Sequence, residues 1–480
     1  VSSQDGDLIS KYEYDAGGRV IKQANGLSGV NETINPEIHA VTISSYDRFG
    51  RLSTVTDPMG QTSTYSYNLL GELMSETDRG GITKTYIYDG LGNIKELIAS
   101  KEGSASETVS YVYNLMGNLT KMVDNNGETT YTYSRRGLLT SEARGGITKY
   151  YSYDANGNRK SMTSTGINVS YSYDSLNRMT GMTDGGTVTN YTYDANGNLL
   201  SEATDGSRNV TYTYNKINAL TGKVNKDGEN VLDTYSLDYY ADGNIRSVTA
   251  NGSRTDYAYD RAGRLTQETG KDGTLRYSYD IFGNRTDMER LSPSGAVTEQ
   301  SMYSYDKNNR LLDVLTTEYN GAVRYTQYTY DANGNRTMQV QSGTTPAPMY
   351  MGASVRAGET GTGMTTYRYD LLGRMTGMQN DSIAASYTYD GNGLRQIKNV
   401  NGRTTAYVYD GVNIIKEGDT YYSRGAAGLI SAGENYYYTD YHGSVVRYGD
   451  SVYSYDAFGN EKSEISDSNP FRYCGEYADS

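Results

Sequence analysis

Apolar and polar positions alternate with a period of two along most of the chain, in short runs separated by turn residues. The clearest runs have the form Tyr-x-Tyr, as at Tyr151–Tyr153, Tyr191–Tyr193 and Tyr328–Tyr330. Because neighbouring side chains of a strand point to opposite faces, both rings of a pair lie on one face and the residue between them lies on the other. Apolar patterning with the 3.6-residue period of a helix is scarce. The pattern therefore predicts an all-β chain with no helix longer than two turns.

The Tyr-x-Tyr run repeats every 20 residues from Tyr131 to Tyr191, and every 20–26 residues through most of the remaining chain. A 39-residue gap from Tyr328 to Tyr367 holds an insertion with Pro346 and Pro348. Twenty residues accommodate two strands and two turns, so each of about twenty repeats is predicted to be one β-hairpin. The 17 clear copies begin at Tyr12, Tyr65, Tyr86, Tyr111, Tyr131, Tyr151, Tyr171, Tyr191, Tyr212, Tyr257, Tyr277, Tyr303, Tyr328, Tyr367, Tyr387, Tyr407 and Tyr453, and degenerate copies surround Tyr46, Tyr239 and Tyr438.

An Asp-x-x-Gly motif follows the second tyrosine, as at Asp154–Gly157, Asp194–Gly197 and Asp331–Gly334. Asp at the first position of a type I turn accepts hydrogen bonds from its own backbone, and Gly at the fourth position tolerates positive φ. A return strand and a second turn then lead into the next Tyr-x-Tyr run. The hairpins are predicted to pair edge to edge in one continuous antiparallel sheet, with equivalent tyrosines side by side.

The composition makes a solid hydrophobic core doubtful. Hydrophobic residues are 36% of the chain, but 51 of them are Tyr, with four Phe and no Trp. The net charge of −13 argues against nucleic acid or an anionic membrane as the main partner, because both favour clustered Lys and Arg. No apolar run approaches the ~18 residues of a membrane span. The single cysteine, Cys474, excludes an intrachain disulfide.

Candidate chemistry is sparse. The motif Asp-Ala-Asn-Gly-Asn resembles the start of a calcium loop, but the twelfth residues counted from its three copies are Thr165, Asp205 and Ser342, where such a loop needs Glu. We therefore interpret it as a turn. Cys474 and His442 form a conceivable nucleophile pair that no local motif supports. No phosphate loop, metal cluster or serine-hydrolase elbow is present, so we assign no catalytic, cofactor-binding or metal-binding residue.

The unit Y-x-Y-D-x-x-G-N/R resembles the YD repeat of RHS proteins, of the C component of insecticidal toxin complexes and of teneurins. The segments Arg424–Asn460 and Asn469–Ser480 resemble the RHS-associated core. The resemblance covers nearly the whole chain, and it implies that the sheet coils into a spiral, hollow shell, here a partial cocoon. In that family a self-cleavage motif and a variable toxin follow, and neither can be carried over to a residue of this sequence.

On this resemblance, residues 1–410 are expected to be the repeat array and residues 411–480 the start of the RHS-associated core. The expected function is that of a non-enzymatic shell segment of a polymorphic toxin. Its partner would be a C-terminal toxin or other cargo polypeptide of the same parent protein. The alternative is a cell-surface adhesion module that binds glycans or a protein through Tyr-rich surfaces. Either role implies a secreted or cell-surface location, as a piece of a larger exported protein.

The residues expected to define the structural repeat are those of its three most similar copies. They are Tyr151, Tyr153, Asp154, Gly157, Tyr191, Tyr193, Asp194, Gly197, Tyr328, Tyr330, Asp331 and Gly334.

Overall fold

The computed structural model describes residues 2–5, 8–27, 29, 31–342, 362–462, 467 and 469–478, and the insertion with Pro346 and Pro348 lies outside them. These residues form 42 β-strands and one short 3-10 helix, Tyr473–Gly475. No helix in this described part has the length and apolar character required to cross a membrane. The predicted all-β class is therefore confirmed.

The strands follow one another along the chain with turns between them. The first third comprises β1 Ser2–Asp5, β2 Leu8–Tyr14, β3 Val20–Leu27, β4 Ala40–Tyr46, β5 Leu52–Thr56, β6 Thr62–Tyr67, β7 Leu73–Thr77, β8 Thr83–Tyr88, β9 Ile94–Ser100, β10 Glu107–Tyr113, β11 Leu119–Asp124, β12 Gly127–Tyr133, β13 Leu139–Arg144 and β14 Ile147–Tyr153. The middle third comprises β15 Arg159–Ser164, β16 Ile167–Tyr173, β17 Met179–Asp184, β18 Thr187–Tyr193, β19 Leu199–Thr204, β20 Arg208–Tyr214, β21 Leu220–Asp227, β22 Asn230–Tyr239, β23 Ile245–Ala250, β24 Ser253–Tyr259, β25 Leu265–Gly270, β26 Gly273–Tyr279, β27 Arg285–Leu291 and β28 Val297–Tyr305. The last third comprises β29 Leu311–Glu318, β30 Val323–Tyr330, β31 Arg336–Ser342, β32 Thr362–Tyr369, β33 Met375–Gln379, β34 Ala384–Tyr389, β35 Arg395–Val400, β36 Arg403–Asp410, β37 Asn413–Glu417, β38 Thr420–Gly425, β39 Gly428–Ala432, β40 Asn435–Thr439, β41 Val445–Tyr448 and β42 Ser451–Val452.

Successive strands pair antiparallel, in one 42-stranded sheet among the described residues. In β14–β16, Tyr151 lies opposite Met162, and Met162 lies opposite Val169. Equivalent tyrosines of consecutive repeats are therefore two strands, ~9.6 Å, apart. The expectation that they lie side by side is wrong, because each return strand places a side chain such as Met162 between them.

The turn after each Tyr-x-Tyr strand has the predicted geometry. The Asp154 carbonyl accepts the N–H of Gly157 at 3.2 Å, and the Asp154 N–H donates to the Asn158 carbonyl at 2.9 Å. Gly157 has φ +92°, and the pairing register shifts at Ser152/Tyr153. A type I turn followed by a residue with positive φ is a three-residue hairpin loop that closes with a bulge. We call these the YD turns.

The second turn of each repeat lies at the opposite edge of the ribbon of hairpins. In the central repeats this turn is tighter, whereas at Asp57–Gln61 and Asp78–Ile82 it has the hydrogen bonds of a YD turn. Between β13 and β14, Arg144 pairs with Ile147 and only Gly145 and Gly146 form the loop. Their φ values of +59° and +80° are those of a type I′ turn, which matches the twist of paired strands. We call these the return turns. Every ribbon therefore has a YD-turn edge and a return-turn edge.

The chain forms two compact units. Unit 1 is Val1–Val112, Met122–Asn126 and Ala258–Thr404, and unit 2 is Tyr113–Lys121, Gly127–Tyr257 and Thr405–Ser480. Each unit contains an early and a later ribbon, which are within residues 1–112 and 258–404 in unit 1 and within residues 127–257 and 405–480 in unit 2. Within each unit the return-turn edge of the early ribbon contacts the YD-turn edge of the later one. In unit 1 the Asp78 carboxylate accepts a bond from Asn333, and in unit 2 the Tyr409 carbonyl accepts one from Lys149.

The buried apolar clusters are small, as the composition predicted. One cluster in unit 1 consists of Ile9, Ala24, Leu27 and Val41. In unit 2 one cluster joins Tyr, Met, Ile and Val side chains of the early ribbon to Ile415 and Ile430 of the later one. Another is rich in aromatic rings after residue 404, where Tyr437 is fully buried.

Replacing Gly157 by Val is expected to destabilise the protein more than replacing Thr192 by Val. A Cβ on Gly157 has room, since its nearest neighbour is Arg136 Nη2 at 3.5 Å, so the cost of about 1 kcal/mol or more comes from the positive φ. Thr192 is an exposed strand residue whose hydroxyl bonds only that of Ser201, at 2.6 Å. Urea midpoints in the opposite order would show that the turn register is misassigned.

Candidate functional site: the repeat module and its edges

The predicted repeat residues occupy equivalent positions in three hairpins. Tyr151 and Tyr153 end β14, Tyr191 and Tyr193 end β18, and Tyr328 and Tyr330 end β30; Asp154–Gly157, Asp194–Gly197 and Asp331–Gly334 are the YD turns that follow. The first tyrosine of a pair is the more buried, with 8% of Tyr151 and 3% of Tyr191 exposed. Burial raises the pKa of Tyr191 to about 12, so its hydroxyl stays protonated and can donate.

The second tyrosine links each repeat to the one before it. The Tyr153 hydroxyl donates to the Leu139 carbonyl at 2.8 Å, 14 residues earlier and at the start of the preceding return strand. This bond was not predicted from the sequence, although the 14-residue offset that recurs in several 20-residue repeats could have suggested it. The same bond is made by Tyr46, Tyr88, Tyr133, Tyr173, Tyr193, Tyr214, Tyr239, Tyr279, Tyr305, Tyr330, Tyr369, Tyr389 and Tyr455.

The turn aspartate is fully engaged by its own turn. Asp154 Oδ1 accepts the N–H groups of Asn156 and Asn158, and Oδ2 accepts the Asn158 side-chain amide, each at 2.9 Å. The Asn158 amide and these N–H groups hold the pKa of the Asp154 carboxyl below its usual range. Both oxygens thus serve the turn. Among the residues that the structure describes, no group of three or more His, Cys, Asp or Glu side chains could hold a metal ion.

In several repeats the residue that follows the fourth position of the YD turn is an arginine, and its side chain links neighbouring repeats. Arg178 Nε donates to Asp174 Oδ2 at 2.7 Å, and its Nη1 donates to the Asp194 carbonyl at 3.0 Å. Its guanidinium also lies 4.8 Å from the Tyr193 ring centroid. One side chain therefore connects two YD turns and a tyrosine. The same three contacts are made by Arg264, Arg310 and Arg374.

The two remaining candidates for chemistry lie at structural positions. The N–H of His442 donates to Asp440 Oδ1 within a YD turn, and the N–H of Cys474 donates to the Ser444 hydroxyl. Cys474 is exposed and has φ +52°. Asp57–Gly60 also forms a turn, with the Gly60 N–H donating to the Asp57 carbonyl at 2.9 Å.

In unit 2 a buried polar seam joins the two ribbons. Arg208, 3% exposed, pairs with the buried Glu202 and donates from Nε to the Tyr437 carbonyl at 2.8 Å. Lys223, 4% exposed, donates to the Thr439 hydroxyl at 2.6 Å and the Asp440 carbonyl at 2.9 Å. These cations of the early ribbon satisfy backbone carbonyls at the YD-turn edge of the later ribbon.

In unit 1 carboxylates perform the corresponding task. Glu107 Oε1 accepts the Leu371 N–H at 2.8 Å, and Asp124 Oδ2 accepts the Gly391 N–H at 2.7 Å. Leu371 and Gly391 each follow the aspartate of a YD turn, so the return-turn edge of the early ribbon binds turn amides of the later one. Hydrogen bonds of buried or partly buried polar side chains therefore join the two ribbons in both units.

Replacing Tyr153 by Phe is expected to lower the free energy of unfolding by about 1 kcal/mol, because the partly buried Leu139 carbonyl loses its hydroxyl donor. Tyr150 is the matched control, since it is 58% exposed in the same strand, and its change to Phe should cost less than about 0.5 kcal/mol. Chemical denaturation measures both. Equal costs would show that the hydroxyl bond does not stabilise the array.

Models of known protein families match part of this chain. The teneurin YD-shell profile matches residues 81–238, and the RHS repeat profile matches residues 46–83 and 239–275. The tRNA3(Ser)-specific nuclease WapA of Bacillus spizizenii is 29% identical, and the tRNA(Glu)-specific nuclease WapA of Bacillus subtilis subsp. natto is 30% identical. Each alignment covers 50% of this chain and 12% of the relative, so the chain spans a small part of their length.

A solved structure of the Photorhabdus luminescens Tc holotoxin pore is similar over 99% of this chain and 29% of its own, with a TM-score of 0.63 and 16% identity. That likeness shows the fold, which is of the RHS/YD-shell type. Together with the profile matches and the recurrent module, it confirms the resemblance found in the sequence. The chain is an array of repeats that, over residues 46–275, match the models of the teneurin YD-shell and of the RHS repeat, and its fold is of the RHS/YD-shell type.

Proposed function

We propose that this chain is a shell segment of an RHS/YD-repeat polymorphic toxin, which encapsulates and carries a C-terminal toxin or other cargo polypeptide. One observation carries the proposal: the recurrent polar groups of the module act on the ribbon itself. Asp154 closes its own turn, Tyr153 binds the preceding repeat, and Arg178 joins two turns. A module whose side chains are used in this way builds a wall, so we assign it a structural role and no catalytic one.

The two faces of the ribbon have the properties expected of a shell wall that lies against a polypeptide. The tyrosine face is largely filled by packing, whereas the residue between the tyrosines is mostly exposed. There the hydroxyls bond across strands, as in Ser66–Ser75 and Ser152–Ser161, both at 2.6 Å. A face of paired hydroxyls offers little apolar surface to a non-native chain. Cargo could therefore lie against it without being held by hydrophobic contacts.

The adhesion alternative requires tyrosine rows on the surface. Among the described residues, tyrosines more than two-fifths exposed are Tyr14, Tyr150, Tyr240 and Tyr319, in four different repeats. They form no continuous row, so the distribution of tyrosine exposure favours the shell over a Tyr-rich binding surface.

We further propose that the repeat array spans residues 1–410 and that an RHS-associated core begins at 411. The strands support this boundary, because β37–β42 have only 2–6 residues each, and their hairpins are shorter than those of the array. The relatives named as tRNA nucleases suggest a toxin as cargo and a secreted or cell-surface location. Their nuclease activity is not assigned to this chain, which covers 12% of their length.

Limited proteolysis of the parent protein tests the function. The proposed cargo polypeptide should be cleaved much more slowly when attached to this chain than when expressed alone. Arg208→Met, which weakens the seam of unit 2, should accelerate that cleavage, whereas the exposed-site control Arg254→Met should not. Equal cleavage of the attached and isolated polypeptide would exclude encapsulation.

A further inference from the structure

A cavity lies at the seam of unit 2, between return turns of the early ribbon and strands β36–β38 of the later one. Its volume is about 170 Å³, and Gly166, Asp184, Asp410 and Arg424 are among the residues that line it. A protein cavity of ~150 Å³ is large enough to bind benzene. This cavity therefore has room for a small organic molecule.

Part of the cavity wall is apolar and buried. Met162 and Val169 lie opposite each other in β15 and β16, and both are buried. Ile167 of the early ribbon and Ile415 of the later one are also less than a tenth exposed. Because such a wall lowers the local dielectric, charges that line the same cavity act on a ligand more strongly than charges in open solvent.

Four charged side chains line the cavity, and two of them form a pair. Arg159 Nη1 donates to Asp410 Oδ1 at 2.7 Å, so these two charges neutralise each other. Asp184 of β17 and Arg424 of β38 line the same cavity, but within the described part of the chain neither forms an ion pair. The cavity thus contains one anionic and one cationic group that lack a counter-ion.

A bulge brings the two unpaired charges to one cavity. The Asp184 carboxyl bonds the hydroxyl of Ser423, which directly precedes Arg424 in β38. Neighbouring side chains of a strand normally point to opposite faces, but the pairing register shifts between Ser423 and Arg424. Such a bulge redirects a side chain, and Arg424 accordingly lines the same cavity as Asp184.

Both unpaired charges are partly withdrawn from water. Burial raises the pKa of the Asp184 carboxyl, and the hydroxyl of Ser423 offsets this effect only in part. Burial also lowers the pKa of the Arg424 guanidinium, whose Nε donates to the Ile414 carbonyl at 2.9 Å. Each charge therefore costs free energy while it has no counter-ion. A ligand with an ammonium group for Asp184 and a carboxylate for Arg424 would recover that cost at both ends.

We propose that this cavity is a binding site for a small zwitterion, of the size of a free α-amino acid with a short side chain. The carboxylate of the ligand accepts hydrogen bonds from the planar guanidinium of Arg424, and its ammonium group donates to the Asp184 carboxylate. The short side chain packs on the apolar wall. Because Asp184 belongs to the early ribbon and Arg424 to the later one, the bound ligand bridges the seam of unit 2.

Isothermal titration calorimetry of the full chain with L-alanine tests the proposal at neutral pH. We expect a Kd below ~1 mM, which is within the limit for a ligand of about six non-hydrogen atoms. Propionate lacks the ammonium group and ethylamine lacks the carboxylate, so each should bind at least about tenfold more weakly. L-Alanine that does not bind at ~10 mM, or either analogue binding as tightly as L-alanine, would overturn the proposal.

Two variants identify the groups that hold the ligand. Asp184→Asn keeps the shape of the side chain and should weaken L-alanine binding at least about tenfold, without weakening that of propionate. Arg424→Gln should weaken L-alanine binding as much, without weakening that of ethylamine. Arg254→Gln is the matched control, because it removes a cation of unit 2 that is 53% exposed, and it should bind L-alanine like the wild type. Wild-type affinity in Asp184→Asn would contradict the assignment.

A melting experiment measures the bridge across the seam. Since the ligand binds only the folded protein, L-alanine should raise the melting temperature of the wild type by an amount that grows with its concentration. The melting temperature of Asp184→Asn should not rise. An equal rise in both proteins would show that L-alanine acts as a general cosolute, and the proposed site would then be wrong.

Discussion

Replacing Arg208 by Met is expected to lower the free energy of unfolding by about 3–5 kcal/mol, the cost of breaking a buried ion pair from one side. The Glu202 carboxylate is 1% exposed and would remain in the interior without its cation. The Tyr437 carbonyl, 229 residues away, would lose the donor that joins the two ribbons of unit 2. The Tyr438 ring, 5.8 Å from the guanidinium, would also lose its cation.

Two further variants separate the buried charge from the loss of packing. Arg254→Met removes a cation that is 53% exposed and pairs with Asp256 on the surface, so it should cost less than about 1 kcal/mol. The double variant Glu202→Gln, Arg208→Met should recover part of the loss, because no charge is then left unpaired in the interior. Urea midpoints measure all three. An Arg208→Met cost no larger than that of the surface control would show that the seam does not hold the ribbons together.

The parts of the fold that the sequence predicts are those fixed within one repeat. Strand direction, the YD turn and the positive φ of Gly157 depend on residues fewer than ten positions apart, so a periodic pattern reveals them. The hydroxyl of Tyr153 bonds the Leu139 carbonyl of the preceding repeat, and the sequence pattern indicates this contact only through the spacing between the two residues. The expected side-by-side pairing of tyrosines from consecutive repeats is wrong, because a return strand lies between them.

The seams between ribbons could not be predicted, because the repeat period does not say which repeats meet. In unit 2 the separation falls from 260 residues at Lys149–Tyr409 to 214 at Arg447–Asp233. The hairpins of the later ribbon are shorter, so the same length of seam contains fewer residues of the later ribbon than of the early one. Buried cations such as Arg208 and Lys223 therefore look like ordinary strand residues in the sequence, and only the tertiary structure shows the carbonyls that they bind.

Lys223 makes the stability of unit 2 depend on pH. Its ammonium group is buried against the Tyr212 ring, 5.4 Å away, and the charges that face it are those of Arg208, Asp440 and Asp233. Burial, reinforced by Arg208, lowers the pKa of Lys223 to about 7, from 10.5 in the unfolded chain. Between these two values the unfolded state binds a proton that the folded state has released. The free energy of unfolding contributed by this residue therefore rises with pH across that window.

We expect the urea midpoint of the wild type to rise relative to that of Lys223→Met as the pH is raised from ~6 to ~9, by the equivalent of about 2.6 kcal/mol. Comparing the two proteins at each pH cancels the titration of groups that they share. Lys121→Met is the control, since Lys121 is 41% exposed, and its difference from the wild type should be the same at both pH values. If the Lys223→Met difference is also constant with pH, then the ammonium group keeps its proton in the folded protein. Its bonds to Thr439 and Asp440 would then fully offset the burial of its charge.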